Sequence, residues 1–474
     1  MDNILGSTEN PVRVAIIGSG PSGFYAAEAL QKQTDFAVEI DMFDRLPTPH
    51  GLVRGGVAPD HPKIKSVTRV YDKIATNENF RFYGNVEFGT DLTHADFLNY
   101  YHQIIYAVGA QTDKSLDIPG EDLPGSHAAT EFVAWYNGHP DYRDFEFDLT
   151  QETAIVVGVG NVAMDVARIL ARSYQELFET DIADYALEAL KNSNVKTIYV
   201  LGRRGPAQAK FTNKEIREFG EMEESNVIVE PEEVEIDPIS REYLDTEADR
   251  NEITNVEILK EFSKRELDPS RPKKVIFQFL VSPIEIEGKN HVESVKVVKN
   301  ELYKTERGSI RPRSTDRVYD IPAGLIFRSV GYQGVALPEV PFRDDWGTIP
   351  NEKGRIHVWL NGSMGAVVPG EYVVGWIKRG PSGVIGTNKP DSVETVEMML
   401  EDVRNNSTLN PENTSREALE NLMHERNIHY VTYSDWQRLD ELEIANGGAL
   451  GRPRVKFTRV EDMLNALKQG TPTK

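Results

Sequence analysis

Because an apolar strand, a glycine turn and a helical segment follow one another twice along the chain, the sequence predicts an α/β fold with two Rossmann-like, three-layer units. The first begins with a strand at residues 12–17, VRVAII, and returns in a second strand, AVEIDMFDR. The other begins at Thr153 with TAIVVGVGNVAMDVARILARS, and VKTIYVLG supplies its next strand. Continuous apolar runs of this length are typical of parallel strands that are buried on both faces. We therefore expect a covered parallel sheet in each unit.

The length and charge of the chain limit what it can be. Its 474 residues are too many for one ordinary core, so we expect two or three domains. With 53 basic and 75 acidic residues, the net charge of −22 argues against nucleic acid as a partner. No apolar run is long enough to span a bilayer, and the first residues lack the features of a signal or transit peptide. The sequence therefore predicts a cytoplasmic enzyme with no membrane insertion.

The chain contains no cysteine. This excludes disulfides, thiolate metal sites, a redox pair of cysteines and any iron–sulfur cluster held by the chain's own thiolates. Redox chemistry would then require a bound organic cofactor. We predict no metal site.

The first glycine turn has the spacing of a dinucleotide-binding motif. Gly18, Gly20 and Gly23 stand between a strand and a helix, where the glycines permit a tight turn, approach to a pyrophosphate and close packing. Asp44 ends the second strand, 21 residues after the third glycine, where a carboxylate accepts hydrogen bonds from a ribose diol. A carboxylate also repels a 2′-phosphate, so this site is predicted to bind FAD or NAD.

The second glycine turn differs at the end of its second strand. Gly158 and Gly160 are followed by Ala163, an accepted substitute for the third glycine. The next strand ends in Arg203 and Arg204 instead of an acid. Guanidinium groups bind phosphate through charge-assisted, bidentate hydrogen bonds, so the pair favours NADP, although a solvated basic turn would look the same.

Further segments carry a resemblance that covers nearly the whole chain. They are GSGPSGFYAAEAL, LPTPHGLVRGGVAPDHPKIK, FYGNVEFG, IYAVGA, GVGNVAMDVARIL, GRRGPAQAKFTNKEIRE, GWIKRGPSGVIGTNK and the tail piece GRPRVKF. With them the sequence resembles the adrenodoxin-reductase-like NADPH–ferredoxin reductases, including bacterial members. The resemblance implies an NADP domain at 113–325, inserted into an FAD domain made of residues 1–112 and of residues 326–474 with a C-terminal extension.

The resemblance also implies the cofactor contacts. FAD would contact the first glycine turn and a set of residues spread along the chain: Ser22, Asp44, Leu52, Val86, Trp376, Gly383, Val384 and Ile385. NADP would contact the second turn and its surroundings: Gly158, Val159, Gly160, Asn161, Arg203, Arg204, Glu215 and Gly383. Taken alone, Trp376 would more simply be a core aromatic residue.

His61 and Asp165 match a histidine and an aspartate that the family places near the junction of flavin and nicotinamide. A proton-relay or orienting pair fits this place, since reduction of a flavin takes up a proton as well as a hydride. Alternatively, His61 braces a Pro-Asp-His-Pro turn, and Asp165 stabilises the start of its helix.

The implied activity is that of an FAD-dependent ferredoxin–NADP⁺ reductase, in which NADPH reduces FAD and single electrons pass to a ferredoxin. An NADPH-dependent flavin reductase, diaphorase or monooxygenase and a flavin-dependent sensor are the alternatives. The acidic net charge is unusual for a protein that docks acidic ferredoxins on a basic face. Arg217 matches a docking position of the family, and further candidates for that face are Lys260, Lys264, Arg265, Lys378 and Arg379.

Overall fold

A computed structural model describes residues 4–469 of the chain. Its strands, in chain order, are β1 (Val12–Ile17), β2 (Val38–Asp44), β3 (Phe80–Gly84), β4 (Gln103–Tyr106), β5 (Thr112–Asp113), β6 (Ser126–Ala128), β7 (Thr153–Val157), β8 (Thr197–Gly202), β9 (Ser225–Val229), β10 (Lys273–Phe279), β11 (Val281–Glu287), β12 (Ser294–Lys304), β13 (Ile310–Pro322), β14 (Leu325–Arg328), β15 (Tyr332–Gln333), β16 (Asn351–Glu352), β17 (Arg355–Leu360) and β18 (Ser363–Val373).

The helices are mostly short and lie between these strands. They are α1 (Pro21–Lys32), α2 (Leu52–Gly55), α3 (Pro62–Lys65), α4 (Thr68–Ala75), α5 (His94–Tyr100), α6 (Ala129–Tyr136), α7 (Asn161–Ala171), α8 (Tyr174–Phe178), α9 (Asp184–Lys191), α10 (Asn213–Glu218), α11 (Pro238–Thr246), α12 (Arg250–Phe262), α13 (Trp376–Arg379), α14 (Asn388–Arg404), α15 (Arg416–Glu425), α16 (Tyr433–Gly448) and α17 (Val460–Gln469). Within residues 4–469, none of them combines the length and the apolar character needed to cross a bilayer.

The first domain is built on a sheet with the strand order β16-β17-β18-β4-β1-β2-β3. The strands from β18 to β3 are parallel, and β16 to β18 form an antiparallel meander at one edge. Because side chains alternate along a strand, Val14 and Ile16 enter one hydrophobic core and Ala15 and Ile17 enter another. The sheet is therefore covered on both faces, as its apolar strands predict.

The second domain is built on a fully parallel sheet with the strand order β6-β14-β7-β8-β10-β9. One face packs on a core that includes side chains of α6, α7, α9, α10 and α12. The other face is covered by the small antiparallel sheet β11-β12-β13, whose valines join the core of Ile155 and Val157. The three layers of this domain are thus helices, parallel sheet and antiparallel sheet.

The chain passes from the first domain to the second and back through two adjacent segments. β5 follows β4, the last strand of the first sheet before the chain enters the second domain. β15 follows β14 of the second sheet. β5 and β15 pair with each other in antiparallel fashion, with Thr112 opposite Gln333. The first sheet then takes β16, β17 and β18 from the part of the chain that follows the second domain.

A segment between α16 and α17, residues 449–459, contacts both domains, and we call it the C-terminal strap. Arg452 donates a hydrogen bond of 2.5 Å to the carbonyl of Ile182, and Lys456 donates one of 3.1 Å to the carbonyl of Asn137. Both acceptors belong to the second domain. Since α16 and α17 pack in a core of the first domain, the strap ties the two domains together.

Candidate functional site

The first glycine turn leaves open space beside its second glycine. Gly18 has φ of +105°, and a Cβ there would lie 2.6 Å from the carbonyl oxygen of Ala107. A Cβ on Gly23 would collide with the carbonyl oxygen of Gly18, whereas a Cβ on Gly20 would meet no atom within 4 Å. Gly20 also precedes α1 without any side-chain cap, so the first N–H groups of the helix face this space. The turn therefore fits a pyrophosphate at the helix N-terminus.

Asp44 lies at the carboxyl end of β2, beside the same turn. Its Oδ2 accepts hydrogen bonds from the backbone N–H (3.0 Å) and the hydroxyl (2.5 Å) of Ser19, and its Oδ1 accepts one from Leu46 N–H (3.0 Å). Burial raises the pKa of Asp44, while these donors act in the opposite direction. Because a carboxylate offers about four acceptor positions, Asp44 can still accept a hydrogen bond from a ribose hydroxyl.

Leu52 is the first residue of α2, directly after a loop that packs on the first glycine turn. A Cβ on Gly51 would lie 2.9 Å from the Cα of Gly20, and the N–H of His50 donates to the carbonyl of Ser19 at 3.0 Å. Leu52 is 41% exposed, and it lines a cavity of about 190 Å³ that Asp44 also lines. The structure thus brings these two predicted FAD contacts into one space.

Trp376 and the loop that follows it lie near the other end of the first glycine turn. A Cβ on Gly375 would lie 2.5 Å from the hydroxyl of Ser22. Trp376 is half-buried, its ring centre lies 5.4 Å from that of Tyr332, and its indole N–H donates to the carbonyl of Ser382 at 3.1 Å. Trp376 is therefore only partly buried and is fixed by a specific hydrogen bond, and its contact with FAD stays a prediction.

The remaining predicted FAD contacts differ in their accessibility. Val384 is 53% exposed, Ile385 is partly buried, and Gly383 has φ of +77° in the loop between them and Trp376. Val86 follows β3 and is buried, and its N–H already donates to the carbonyl of Asp44 at 2.9 Å. Val86 is 1% exposed and belongs to a hydrophobic core, and its contact with FAD stays a prediction.

The second glycine turn repeats the geometry of the first. Gly158 has φ of +137°, and a Cβ there would collide with the carbonyl oxygen of Ser329. A Cβ on Gly160 would meet no atom within 4 Å. The carbonyl of Val159 accepts from Lys210 N–H, and the side chain of Asn161 accepts from Thr212 N–H, both at 2.9 Å. The turn is thus braced by the 210–212 segment, and its open side fits a second pyrophosphate.

Arg203 and Arg204 follow directly on β8, at the same edge of the second sheet. Arg203 is exposed and Arg204 half-buried, and neither guanidinium has a carboxylate partner among residues 4–469. The pKa of Arg204 is lowered by burial and by the charges of Arg203 and Arg311. The charge of Glu252 acts in the opposite direction, but it forms no ion pair with Arg204. Clustered guanidinium groups without a directly paired carboxylate fit a doubly charged phosphate.

His61 and Asp165 meet at the junction of the two domains, together with two glutamates of α10. His61 Nε2 lies 2.7 Å from Glu218 Oε2, while its Nδ1 lies 3.7 Å from Glu215 and 4.0 Å from Asp165. All four side chains are buried or nearly so. Glu215, predicted to contact NADP, therefore lies beside the predicted histidine–aspartate pair.

The charges of this junction set the protonation of Asp165. Burial raises the pKa of Asp165 to about 7, against the effect of Arg168 and with a contribution from Glu215. Burial would also raise the pKa of Asp60, but Arg168 and Arg172 lower it well below its usual range. A buried carboxyl group with a raised pKa beside an imidazole is a candidate for proton uptake and release.

Arg168, Asp60 and Glu218 also belong to this junction, although the sequence did not predict it. Arg168 stands three residues after Asp165 on α7, the helical spacing at which an acid and a base contact each other. From this spacing the contact between Arg168 and Asp165 could have been predicted. The contact between His61 and Glu218 joins residues 157 positions apart and has no local signal.

The predicted docking residues divide into two groups. Arg265 donates to the carbonyl of Gly220, two residues after α10, at 3.2 Å, and this places it near Arg217. Lys378, in contrast, is 6% exposed and pairs with Asp391 (3.1 Å) and Glu394 (2.8 Å). The predicted role of Lys378 in docking is therefore wrong, because its charge is buried and neutralised.

Arg379 also forms hydrogen bonds within the chain. Its guanidinium donates to the carbonyl of Ser382 and to the side chain of Asn388, both at 2.8 Å, and thereby holds the loop after Trp376. Its side chain is still 23% exposed, and its docking role stays a prediction.

Comparison with known proteins places this geometry among pyridine-nucleotide enzymes. A family model described as pyridine nucleotide-disulphide oxidoreductase matches residues 12–335. NADPH-ferredoxin reductase FprA of Mycobacterium leprae (strain TN) is 45% identical over 456 residues, which are 95% of this chain and 97% of the relative. The mitochondrial NADPH:adrenodoxin oxidoreductase of Arabidopsis thaliana is 38% identical over 97% of this chain and 96% of the relative.

Solved structures give the same result. Mycobacterium tuberculosis FprA in complex with NADPH superposes with a TM-score of 0.89 at 43% identity, and the match covers 97% of this chain and 100% of that one. A histidine-to-glutamine variant of the same protein gives the same values. The two-domain α/β architecture predicted from the sequence is therefore confirmed.

Proposed function

The chain belongs to the pyridine nucleotide-disulphide oxidoreductase family, and within it to the adrenodoxin-reductase-like NADPH–ferredoxin reductases, and from this premise we propose that it is an FAD-containing ferredoxin–NADP⁺ reductase. The observation that carries the proposal is the pair of glycine turns, each open beside its second glycine. One turn lies next to an acid and the other next to arginines that pair with no carboxylate among residues 4–469. The absence of cysteine separates this chain from the disulfide chemistry in the family's name.

When bound, FAD accepts a hydride from NADPH and can release single electrons to an iron–sulfur acceptor. Gly20 and Gly160 would admit the two pyrophosphates, and Asp44 would bind a ribose hydroxyl. Arg203 and Arg204 would hold the 2′-phosphate that distinguishes NADPH from NADH. His61 and Asp165 would hold or transfer the proton that accompanies the hydride.

The other predicted contacts are retained in the proposal. FAD would be held by Gly18, Gly20, Ser22, Gly23, Asp44, Leu52, Val86, Trp376, Gly383, Val384 and Ile385, and NADP by Gly158, Val159, Gly160, Asn161, Arg203, Arg204, Glu215 and Gly383. We likewise propose the division into an FAD domain at 1–112 and 326–474 and an NADP domain at 113–325. The cytoplasmic location stays a prediction.

A basic patch at the ends of α10 and α12 is proposed as the docking surface for ferredoxin. We call it the α10–α12 patch, and it consists of Arg217, Lys260, Lys264 and Arg265. None of these side chains pairs with a carboxylate within residues 4–469, although the chain as a whole is strongly acidic. α10 also carries Glu215 and Glu218, which face His61, so the patch and the junction share this helix.

The test of the function is anaerobic mixing of the purified holoenzyme with NADPH and an oxidised ferredoxin, with flavin and ferredoxin absorbance followed together. We expect flavin bleaching and then ferredoxin reduction, both faster with NADPH than with NADH. Bleaching without ferredoxin reduction would make the chain a flavin reductase or diaphorase. A flavin that NADPH never bleaches would favour a sensor.

Replacement of Arg217 by glutamate should lower kcat/KM for ferredoxin about tenfold and leave the reduction of a small dye unchanged. A reversed charge repels an acidic partner, and both the wild-type rate and the difference should shrink as salt rises from about 0.05 M to about 0.5 M. Steady-state kinetics with the two acceptors measures the effect.

The matched control is Arg317→Glu. Arg317 is an exposed arginine of β13, in the layer on the other side of the second sheet from α10 and α12. An equal loss in both variants, or an equal loss with ferredoxin and dye, would show that the α10–α12 patch is not the docking surface.

A further inference from the structure

Arg168 is a fully buried cation at the junction of the two domains. Its side chain is 0% exposed, and all three of its guanidinium nitrogens donate hydrogen bonds. Nε donates to Asp60 Oδ2 at 2.6 Å, Nη2 donates to Asp165 Oδ1 at 2.6 Å, and Nη1 donates to Glu215 Oε2 at 2.7 Å. Nη1 also lies 3.3 Å from Glu218 Oε2. One cation therefore contacts four carboxylates.

These carboxylates come from both domains. Asp60 belongs to the first domain and directly precedes His61 in the chain, while Asp165, Glu215 and Glu218 lie on α7 and α10 of the second domain. Arg168 itself is on α7. Its hydrogen bonds to Asp60 thus cross the domain boundary at the residue next to the histidine.

We propose that Arg168 is the positioning residue of the reaction centre, which holds His61 and Asp165 in register across the domain boundary and supplies the positive charge that the surrounding carboxylates face. The inference rests on the proposed function and adds to it a residue that touches neither substrate nor cofactor in that scheme. Without a buried cation, four acidic groups would face one another at low dielectric constant, a costly arrangement.

The protonation of Asp165 depends on every group that faces it. These are Arg168 on its own helix, Glu215 on α10, Asp60 and His61 before α3, Tyr136 on α6 and Tyr332 on β15. Arg168 favours the ionised form of Asp165, and the charges of Asp60 and Glu215 oppose it. Displacing the cation should therefore raise the pKa of Asp165, and removing the charge of Asp60 should lower it.

Lysine cannot replace this arginine without loss of geometry. A guanidinium is a planar fork with five N–H donors, whereas an ammonium group is a point charge on a flexible stem. Arg168→Lys keeps the charge but can approach only some of the four carboxylates. It therefore separates the positioning role from the mere presence of a cation.

The experiment compares the holoenzymes of Arg168→Lys, Asp60→Asn and Arg172→Lys with the wild type. Arg172 is the matched control, because it binds Asp60 (2.8 Å) and Glu176 (2.8 Å) and none of the other junction carboxylates. Stopped-flow flavin reduction is measured over pH at several NADPH concentrations. In parallel, histidine-selective ¹³C NMR follows the ring of His61, assigned with His61→Gln, as a reporter of ionisation in the cluster.

For Arg168→Lys we expect flavin reduction to slow about 10- to 100-fold, with the Kd of NADPH within about twofold of the wild type. The midpoint of the NMR titration and the midpoint of the pH dependence of the flavin-reduction rate should both move to higher pH in Arg168→Lys. Both should move to lower pH in Asp60→Asn. Arg172→Lys should stay close to the wild type. Opposite displacements in the first two variants are the signature of a central cation.

Arg168→Lys with a lower Tm but with the wild-type rate and titration would overturn the proposal and leave a purely structural role. If Arg168→Lys does not retain FAD, the proposal is tested with Asp60→Asn. An unchanged titration midpoint in Asp60→Asn would then overturn it. A wild type that NADPH fails to bleach would instead contradict the proposed function, and the NMR titration would still test Arg168.

Discussion

Valine in place of Gly20 should give a folded protein without FAD, and valine in place of Gly160 should give a yellow protein that NADPH no longer reduces. Neither glycine has an atom within 4 Å of its Cβ position, and neither has the positive φ that an L-residue avoids. The new side chains are therefore compatible with the fold. They fill the space in which each pyrophosphate would lie, so each should abolish the binding of one cofactor only. Flavin absorbance per chain and NADPH-dependent bleaching measure the two effects.

A suitable control is Gly448→Val, at the end of α16, since that glycine also has open space at its Cβ position. It should keep both flavin and activity. Gly18→Val, by contrast, should lower the yield of folded protein, because its φ is positive and its Cβ would meet a backbone carbonyl. Full flavin content in Gly20→Val would refute the assignment of the first turn.

Arg204→Ala should raise the KM for NADPH about 10- to 100-fold and leave the KM for NADH almost unchanged. A hydrogen bond to a charged group contributes about 1.5–3 kcal/mol, which corresponds to that range. Arg203→Ala should act in the same direction but less strongly, because Arg203 is the more exposed of the two. Steady-state kinetics with both nucleotides gives the ratio.

Arg307→Ala, an exposed arginine at the turn between β12 and β13, is the control and should change neither value. Equal losses with NADPH and NADH in Arg204→Ala would mean that the arginine does not bind the 2′-phosphate. The second site would then bind its nucleotide through the glycine turn alone.

Local sequence predicted most of the parallel strands, because each is a short apolar run that ends at a turn. The strand predicted at 12–17 is confirmed, and the run AVEIDMFDR contains β2 (Val38–Asp44). The apolar run KKVIFQFLVSPIEI gave no sign that it divides into two strands of different sheets. The division occurs at Leu280, whose φ of +54° is rare for a non-glycine residue and is imposed by tertiary packing.

The same limit applies to the site. Glycine turns and the residues that end the next strands are encoded within a few dozen positions, so Asp44, Arg203 and Arg204 could be chosen from sequence. The buried network around Arg168 depends on chain segments that are far apart, and only their packing brings them together. Resemblance to the family pointed to His61 and Asp165, but it did not point to Arg168, whose guanidinium lies between the domains.

The discontinuity of the first sheet has a consequence for biosynthesis. β4 can pair with β18 only after the whole second domain has been translated, and the C-terminal strap is made later still. All strands of the second sheet have been made before β18 is translated, so the second domain can fold first on the ribosome. The complete first sheet, the loop after Trp376 and the strap can therefore form only after the second domain has been made. We expect insertion of the flavin to follow the folding of that domain.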